Sequence, residues 1–536
     1  VPGVDELDPD KAAALPTLAS LLAAREHDDR TALIFGEQNW SWREVVQKAR
    51  ERHQYAVRLA GDRPLHLGLF MENTPEHVFW WLAATLHGAV AAGLNPTRRG
   101  PDLARDIAFT ECSLVVTDTA RRELLDGMEG LPRVVDVDET SYAQEVRVPL
   151  EGSVAAIANA VPREAVAFLL FTSGTTSAPK AVICSQGRMG RIAQQQQERR
   201  ALTADDTFYV VMPLFHANAL MAGIAPAIAS GASVVLRRKF SASAWLDDVR
   251  RHGVTFFNYV GKPLNFILAT PERPDDHDNP LRVAFGNEAS EADIRRFQER
   301  FDCRVIDSFG STEGEVQIMR TPETPSGSLG VARGRTVVVN PETLEECPRA
   351  RFDERGRVTN GDEAVGEIVQ LDGASLFEGY WRNPEATEKR LRHGWSWTGD
   401  LAYRDEEGYF YFAGRGGDWL RVDGENLATA PIERLLLRHE AFSGVAVVAV
   451  PDPVVGDQVL AVVECAPGHD FDATAFTEFL AAQPDLGTKW APAFVKVVAD
   501  LPRTPTNKMM KREVDAGIEP GTPHVWARQG STYSPV

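Results

Sequence analysis

The sequence predicts an α/β fold: a large N-terminal domain of parallel-rich sheets flanked by helices, a β-rich subdomain, and a small α+β C-terminal domain. Three observations carry that expectation: alternating strand and helix signals in the first 300 residues, a change of texture after about residue 330, and a glycine-dense joint near residue 415. A chain of 536 residues is also too long for one compact core.

Leu65 to Phe70 reads as a buried strand, and Asn73-Thr74-Pro75 as a helix entry, with a capping hydroxyl before a proline. Val78, Phe79, Leu82 and Leu86 follow at helical spacing, and Ala89 to Leu94 closes a strand–helix–strand unit. The pattern repeats through a strand at Leu114 to Val116, a helix at Arg121 to Met128 and a strand at Arg133 to Val135. It returns with a strand at Ser233 to Leu236, a helix at Ala244 to His252 and a strand at Val254 to Tyr259. Such alternation implies parallel sheets covered by helices. After residue 330, Gly366 to Val369 and Gly408 to Phe412 read as short antiparallel strands between Asp/Glu/Gly turns. Gly414 to Asp418 is too glycine-rich for a regular element without cost. Beyond it come strands at Val445 to Val450, Val459 to Glu464 and Phe494 to Val498, with a helix at Thr474 to Ala482. The expected division is therefore 1–415 and 416–536.

A net charge of −19 suits a soluble protein and disfavours broad contact with nucleic acid or anionic lipid, while leaving room for a local basic groove. The five cysteines, Cys112, Cys184, Cys303, Cys347 and Cys465, have no zinc or redox spacing, and reduced thiols in a cytoplasmic protein are expected. Val1 to Leu15 lacks the basic flank and apolar run of a signal peptide. Ala217 to Leu236 is twenty residues without a charge, but its proline, glycines and small residues read as a buried helix and strand rather than a membrane span.

The segment with the clearest chemistry is Phe171-Thr172-Ser173-Gly174-Thr175-Thr176-Ser177-Ala178-Pro179-Lys180, directly after the apolar strand Val166 to Leu170. Small and hydroxyl residues offer N–H and O–H groups to an oxyanion, and Lys180 adds charge; a flexible surface loop is the plainer alternative. The spacing is not that of a Walker loop, and Gly261-Lys262 fails the same test.

This loop resembles the Thr-Ser-Gly-Thr-Thr-Gly-x-Pro-Lys signature of the adenylate-forming superfamily of acyl-CoA ligases, adenylation domains and luciferases. Further resemblances follow in the family's order: Pro213 to His216, Phe309-Gly310-Ser311-Thr312-Glu313, Thr398-Gly399-Asp400, Gly414-Arg415 through Asn426, and Pro502 to Lys508. The resemblance implies ATP and Mg²⁺ as cofactors and CoA as acceptor. It assigns Glu313 to Mg²⁺, Thr312 to the α-phosphate, and Phe309, with Ser308, Gly310 and Ser311 around it, to the adenine side. Asp400 would accept the ribose hydroxyls, Arg415 would touch ribose or phosphate, and Lys508 would stabilise the transition state. Bringing two anions together requires such positive charge. Outside the family context Phe309 reads as core, Asp400 as a turn residue, Arg415 as a surface arginine, and Lys508 as part of a basic cluster.

By position, His216, Asn258, Tyr259, Gly261, Gly286, Asn287 and Glu288 would line the acid's pocket, together with Ser308. His216 reads equally as a core histidine. An unpaired Glu288 beside an acyl chain is costly, so it turns to solvent, pairs with a nearby arginine, or meets a polar or amino-bearing substrate. Gly416, Gly417 and Asp418 would form the hinge about which the C-terminal domain turns between half-reactions.

Three residues depart from the broad family: Ser177 for the loop glycine, Gly417 for a charged hinge residue, and Asn507 before the lysine. Gly417 to Asn426, Arg238 to Ser243 and Phe285 to Asn287 resemble the fatty-acid transport protein, or very-long-chain acyl-CoA synthetase, branch. The expected activity is an acyl-CoA ligase: acid and ATP give acyl-adenylate and pyrophosphate, then CoA gives the thioester and AMP. Transfer to a carrier protein, or nitrite and amine chemistry, would use the same site. A lipid-binding protein with vestigial catalysis is disfavoured by the joint presence of Lys180, Glu313, Asp400, Arg415 and Lys508. A homodimer is the ordinary default for a soluble enzyme.

Overall fold

The computed structural model describes residues 15–147, 152–172, 179–321, 323–354, 358–373, 376–415, 419–422, 425–452, 456–484, 486–487, 489–504, 509–519 and 521–536. At 362, 415, 419, 421, 425, 426, 428, 456 and 512 only the backbone is described. Ser173, Gly174, Thr175, Thr176, Gly416, Gly417, Asp418 and Lys508 lie outside the described residues. The chain divides into two compact units, 1–315 with 375–389, and 316–374 with 390–536.

The first unit holds two sheets. Its strands are β1 (Thr31–Phe35), β2 (Gln38–Ser41), β3 (His66–Phe70), β4 (Val90–Gly93), β5 (Leu114–Thr117), β6 (Arg133–Asp136) and β7 (Val166–Phe171). They continue as β8 (Ala181–Ser185), β9 (Thr207–Val210), β10 (Ser233–Leu236), β11 (Phe256–Val260), β12 (Val283–Asn287) and β13 (Arg304–Gly310). One sheet has the order β6-β5-β3-β4-β7-β8, parallel except for the β7–β8 pair. The other runs β13-β12-β11-β9-β10-β1-β2, parallel except for β1–β2. The expected alternation is therefore present, and β4, β5 and the middle of β11 are buried on both faces, as parallel strands under helices must be.

Local chemistry explains the helix ends. Thr74 caps the helix Pro75–His87 by accepting from the His77 N–H, and Gly88 closes it at φ 70°. The helix expected over Arg121 to Met128 is shorter: Thr119–Arg122 is α-helical and Glu123–Leu125 tightens to 3₁₀. The uncharged stretch after Ala217 also departs from a plain helix. Asn218–Ile224 winds as a π-helix before Ala225–Ser230 resumes the α form, and such wide turns concentrate at functional sites. Among the described residues no helix is long and apolar enough to cross a membrane.

In the second unit, β14 (Gln317–Met319) pairs with β15 (Val331–Ala332). An antiparallel sheet is built from β16 (Thr336–Val339), β17 (Gly366–Gln370), β18 (Leu391–Arg392), β19 (Trp395–Arg404) and β20 (Phe410–Arg415). Here the glycine-dense joint starts later than expected: Gly414 and Arg415 belong to β20. Pairing steps from Leu401–Gly414 to Ala402–Phe412, which leaves Ala413 as a bulge in β20 next to Gly414 at φ 133°, a backbone that glycine permits. The last sheet comprises β21 (Trp419–Val422), β22 (Glu425–Ala428), β23 (Phe442–Asp452), β24 (Gly456–Cys465), β25 (Phe494–Val498), β26 (Val525–Gln529) and β27 (Thr532–Pro535). Leu460, Val463 and Val495 of this sheet are buried, as are Ile432 and Leu436 of the helix Thr429–Leu436 and Phe476 of the helix Ala473–Ala482. All five cysteines are free thiols, three buried and two half-buried.

Candidate active site

The phosphate-loop signature begins where β7 ends. Thr172 donates its N–H to the Lys180 carbonyl at 3.0 Å, so the two ends of the loop are clasped by one backbone bond. The Lys180 ammonium lies over the ring of Tyr380, 5.8 Å from its centroid. That is within range of a cation–π attraction.

The motif after β13 forms a second element of the same unit. Ser308 and Phe309 are half-buried, Gly310 and Ser311 exposed, and Thr312 half-buried, while Glu313 is only 7% exposed. The Ser311 hydroxyl donates to Glu315 at 2.9 Å, and the Gly314 N–H returns to the Ser311 carbonyl at 3.1 Å, curling the chain into a tight turn. Arg188, 3% exposed in the first turn of the helix Gln186–Arg200, donates to the carbonyls of Thr312 and Glu313, and to that of Ile183 at 2.8 Å. A guanidinium carries five donors in a rigid fork, which suits it to gather carbonyls from two elements. The Glu313 carboxylate accepts from the Tyr380 hydroxyl at 2.6 Å. Lys180 and Glu313, distant in sequence, thus meet the same tyrosine.

Neither Arg188 nor Tyr380 was singled out from the sequence. Arg188 looks like one more basic residue of a polar helix, and Tyr380 sits in a Gly-Tyr-Trp turn that carries no chemistry-bearing pattern.

The residues expected around the acid divide into buried and exposed. Asn258 is fully buried and donates to the Asn218 side chain, which in turn donates to the Tyr259 carbonyl at 3.3 Å. The Tyr259 hydroxyl donates to Asp307 at 2.9 Å, and Gly261 donates its N–H to the Asn287 carbonyl at 2.9 Å. Asn287 donates to the Ser308 carbonyl at 2.6 Å. Burial pushes the His216 imidazole down to about 4, so it is neutral at pH 7, and its Nε2 meets no hydrogen-bond partner among the described residues. Glu288 is exposed, at φ 66°.

In the second unit, Asp400 is 7% exposed, and its N–H donates to the Thr398 hydroxyl at 3.1 Å. Gly399, at φ 71°, donates to Glu367 at 2.6 Å. Burial raises the Glu367 carboxyl above its usual range, and the neighbouring Asp400 charge adds to the effect. The β19–β20 register sets position 415 directly opposite Asp400. The expected ribose carboxylate and the backbone of position 415 are therefore cross-strand neighbours.

Among the described residues no three His, Cys, Asp or Glu side chains converge as a cation cage. One buried carboxylate, Glu313, suits Mg²⁺, which keeps several waters and takes its other oxygens from substrate phosphates.

Two family comparisons bear on this arrangement. The AMP-binding enzyme family matches residues 22–381, and the AMP-binding enzyme C-terminal domain matches 431–508. The chain belongs to the AMP-binding enzyme family. It is 49% identical over 500 residues to a steroid-22-oyl-CoA synthetase of Rhodococcus jostii (strain RHA1), covering 92% of this chain and 90% of the relative. It is 46% identical over 516 residues to the medium/long-chain-fatty-acid–CoA ligase FadD17 of Mycobacterium marinum (strain ATCC BAA-535 / M), covering 96% and 99%. The fold is shared with ATP-bound MatB from Rhodopseudomonas palustris, at TM-score 0.77 and 23% identity, covering 92% of this chain and 97% of that one. The AMP-binding enzyme described here is an ATP-dependent, AMP-forming ligase that makes an acyl-adenylate and then a CoA thioester, using ATP, Mg²⁺ and CoA.

Proposed function

We propose that this ligase activates a carboxylate carried on a large apolar body, with a steroid side-chain acid as the preferred substrate. The observation that carries the reading is the uncharged character of the residues assigned to the acid that are not exposed: Asn258, Tyr259 and Gly286 are buried and uncharged, and the half-buried His216 is neutral at pH 7, while Glu288 is exposed. A charged or amino-bearing acid would leave its charge unpaired against such a wall, at a cost of several kcal/mol or more, whereas an apolar body gains roughly 25 cal/mol per Å² buried. The 49% identity to a relative named for a steroid acid favours that body over a simple alkyl chain.

In this reading the loop 172–180 holds the ATP phosphates through Thr172, Ser173, Gly174, Thr175, Thr176 and Lys180. Glu313 holds Mg²⁺, which supplies charge neutralisation at the phosphates. Thr312 touches the α-phosphate, Phe309 stacks on adenine, and Asp400 accepts the ribose hydroxyls with Arg415 beside it. A carboxylate oxygen attacks the α-phosphorus as its bond to pyrophosphate breaks, with Lys508 stabilising the developing charge. The CoA thiol then loses its proton, its sulfur attacks the acyl carbon, and AMP leaves. Residues 416–536 form the mobile domain that carries Lys508, turning about Gly416, Gly417 and Asp418 between the two steps. The enzyme acts in the cytoplasm.

The test is a panel assay with and without CoA, separating AMP, pyrophosphate and thioester. It uses C22-carboxyl steroids, C8 to C18 fatty acids, benzoates and amino acids. The steroid acid should give a kcat/KM at least tenfold above any fatty acid, with adenylation lost in Lys508→Ala. Preference for a fatty acid would overturn the steroid assignment, and preference for an amino acid would overturn the apolar pocket itself.

A further inference from the structure

Tyr380 is 6% exposed, and it touches residues from both phosphate-handling motifs of the first unit. Its hydroxyl donates to Glu313 Oε1 at 2.6 Å, and its ring face carries the Lys180 ammonium 5.8 Å from the centroid. The backbone holds it in place. Tyr380 bridges Val182 in antiparallel fashion, the Trp381 N–H donates to the Ala181 carbonyl at 2.8 Å, and the Gly379 carbonyl accepts from Ile183 at 3.0 Å. One residue before the glycine, Glu378 accepts from the N–H and hydroxyl of Ser185 at 2.7 and 2.5 Å. Residues 378–381 are thereby zipped along β8, the strand that leaves the phosphate loop. The backbone that carries the phenol is held against that strand, and its side chain is held by the bond to Glu313.

We infer that Tyr380 is a positioning residue for the adenylation half-reaction: its hydroxyl orients the carboxylate of Glu313 for the metal, and its ring face parks Lys180 for the phosphates. The inference rests on the assignment of Glu313 to Mg²⁺ made above. A carboxylate has several lone-pair directions, and a donor fixed on Oε1 restricts its rotation and so sets the direction in which it presents its oxygens. Removing such a partner typically weakens metal affinity 10–100-fold. The ring and the hydroxyl act separately, so they can be separated by substitution. Tyr380→Phe keeps the face for Lys180 and removes only the donor. Tyr380→Leu removes both.

The experiment measures Mn²⁺ bound by the full chain with a non-hydrolysable ATP analogue, by electron paramagnetic resonance, and metal-free ATP binding by calorimetry. Thioester formation from preformed acyl-adenylate, which consumes no ATP, serves as the control for a merely structural defect. Tyr380→Phe should weaken Mn²⁺ by at least about tenfold, leave metal-free ATP affinity within twofold, and leave the KM for acyl-adenylate within twofold. Tyr380→Leu should in addition lose at least about two- to fivefold in metal-free ATP affinity, the lower range for a cation–π contact. Glu313→Gln separates the two levels of the argument. If it leaves Mn²⁺ binding unchanged, the metal assignment fails. If it abolishes binding while Tyr380→Phe binds like wild type, the role of Tyr380 alone is refuted. A comparable loss in all three measurements would also refute it, by showing a folding defect.

Discussion

Gly286→Ala tests whether the wall of the proposed acid pocket is built from one cross-strand pair. Gly286 on β12 is in register with Tyr259 on β11, and the phenol ring lies across the space where a Cβ would stand. An added Cβ would be 2.3 Å from the Tyr259 carbonyl oxygen and 2.6 and 2.7 Å from ring carbons Cδ2 and Cε2. Those contacts are far inside van der Waals distance, and the carbonyl belongs to a strand that cannot yield. The ring can yield only by leaving the Asp307 carboxylate to which its hydroxyl donates at 2.9 Å. Overpacking costs ~1–3 kcal/mol, and a lost hydrogen bond to a charged group ~1.5–3 kcal/mol, so the substitution should destabilise the first unit by about 3–5 kcal/mol.

The assay is urea unfolding of wild type, Gly286→Ala, Tyr259→Phe and the double variant. Residues that share one contact are not additive. Tyr259→Phe alone should cost about 1.5–3 kcal/mol, and much less in the Gly286→Ala background, where the bond is already gone. The KM for the acid should rise while that for ATP stays near wild type. Equal midpoints for Gly286→Ala and wild type, or strict additivity in the double variant, would refute the steric argument.

Two further predictions concern stability. Burial holds the imidazoles of His53 and His77 down at about 4 and that of His87 at about 2, with His53 stacked on His87 at 3.6 Å and Arg50 adding to the depression at His87. The unfolded chain binds these protons from about pH 6.5 downward while the folded chain refuses them, so stability is full above that pH and is lost as the pH falls toward 4. Each should cost about 1–2 kcal/mol by pH 5, and a His53→Phe, His87→Phe double variant should show a flatter melting-temperature profile between pH 6.5 and 5; an unchanged slope would contradict this. In the second unit, Gly330 sits at φ 108° with its absent Cβ only 2.0 Å from the Met319 carbonyl oxygen, whereas Gly327 at φ 78° has open space. Gly330→Ala should cost at least about 3 kcal/mol and Gly327→Ala about 1 kcal/mol in the same unfolding assay, and equal costs would show that backbone strain alone governs both.

The sequence by itself determined most of the architecture, because periodicity and capping are local. The strand over Ser233–Leu236, the entry at Thr74 and Pro75, and the switch from parallel to antiparallel pairing after residue 330 follow from residue spacing and turn chemistry. The ordered motifs from Thr172 to Lys508 were enough to identify the superfamily, since each must keep its own residues in its own place along the chain. Where local signals competed, the reading slipped. The π-helix at Asn218–Ile224 cannot be told from an α-helix by apolar content, and Gly414 enters β20 beside a bulge in that same strand. Only the tertiary structure decided which residues meet. Arg188 reaches the carbonyls of Thr312 and Glu313 across 124 and 125 residues, and the Tyr380 hydroxyl reaches Glu313 across 67. Glu288, which the sequence left between solvent and substrate, is exposed because of how β12 ends. Such contacts leave no periodic trace, because a single long-range hydrogen bond constrains two residues and nothing between them.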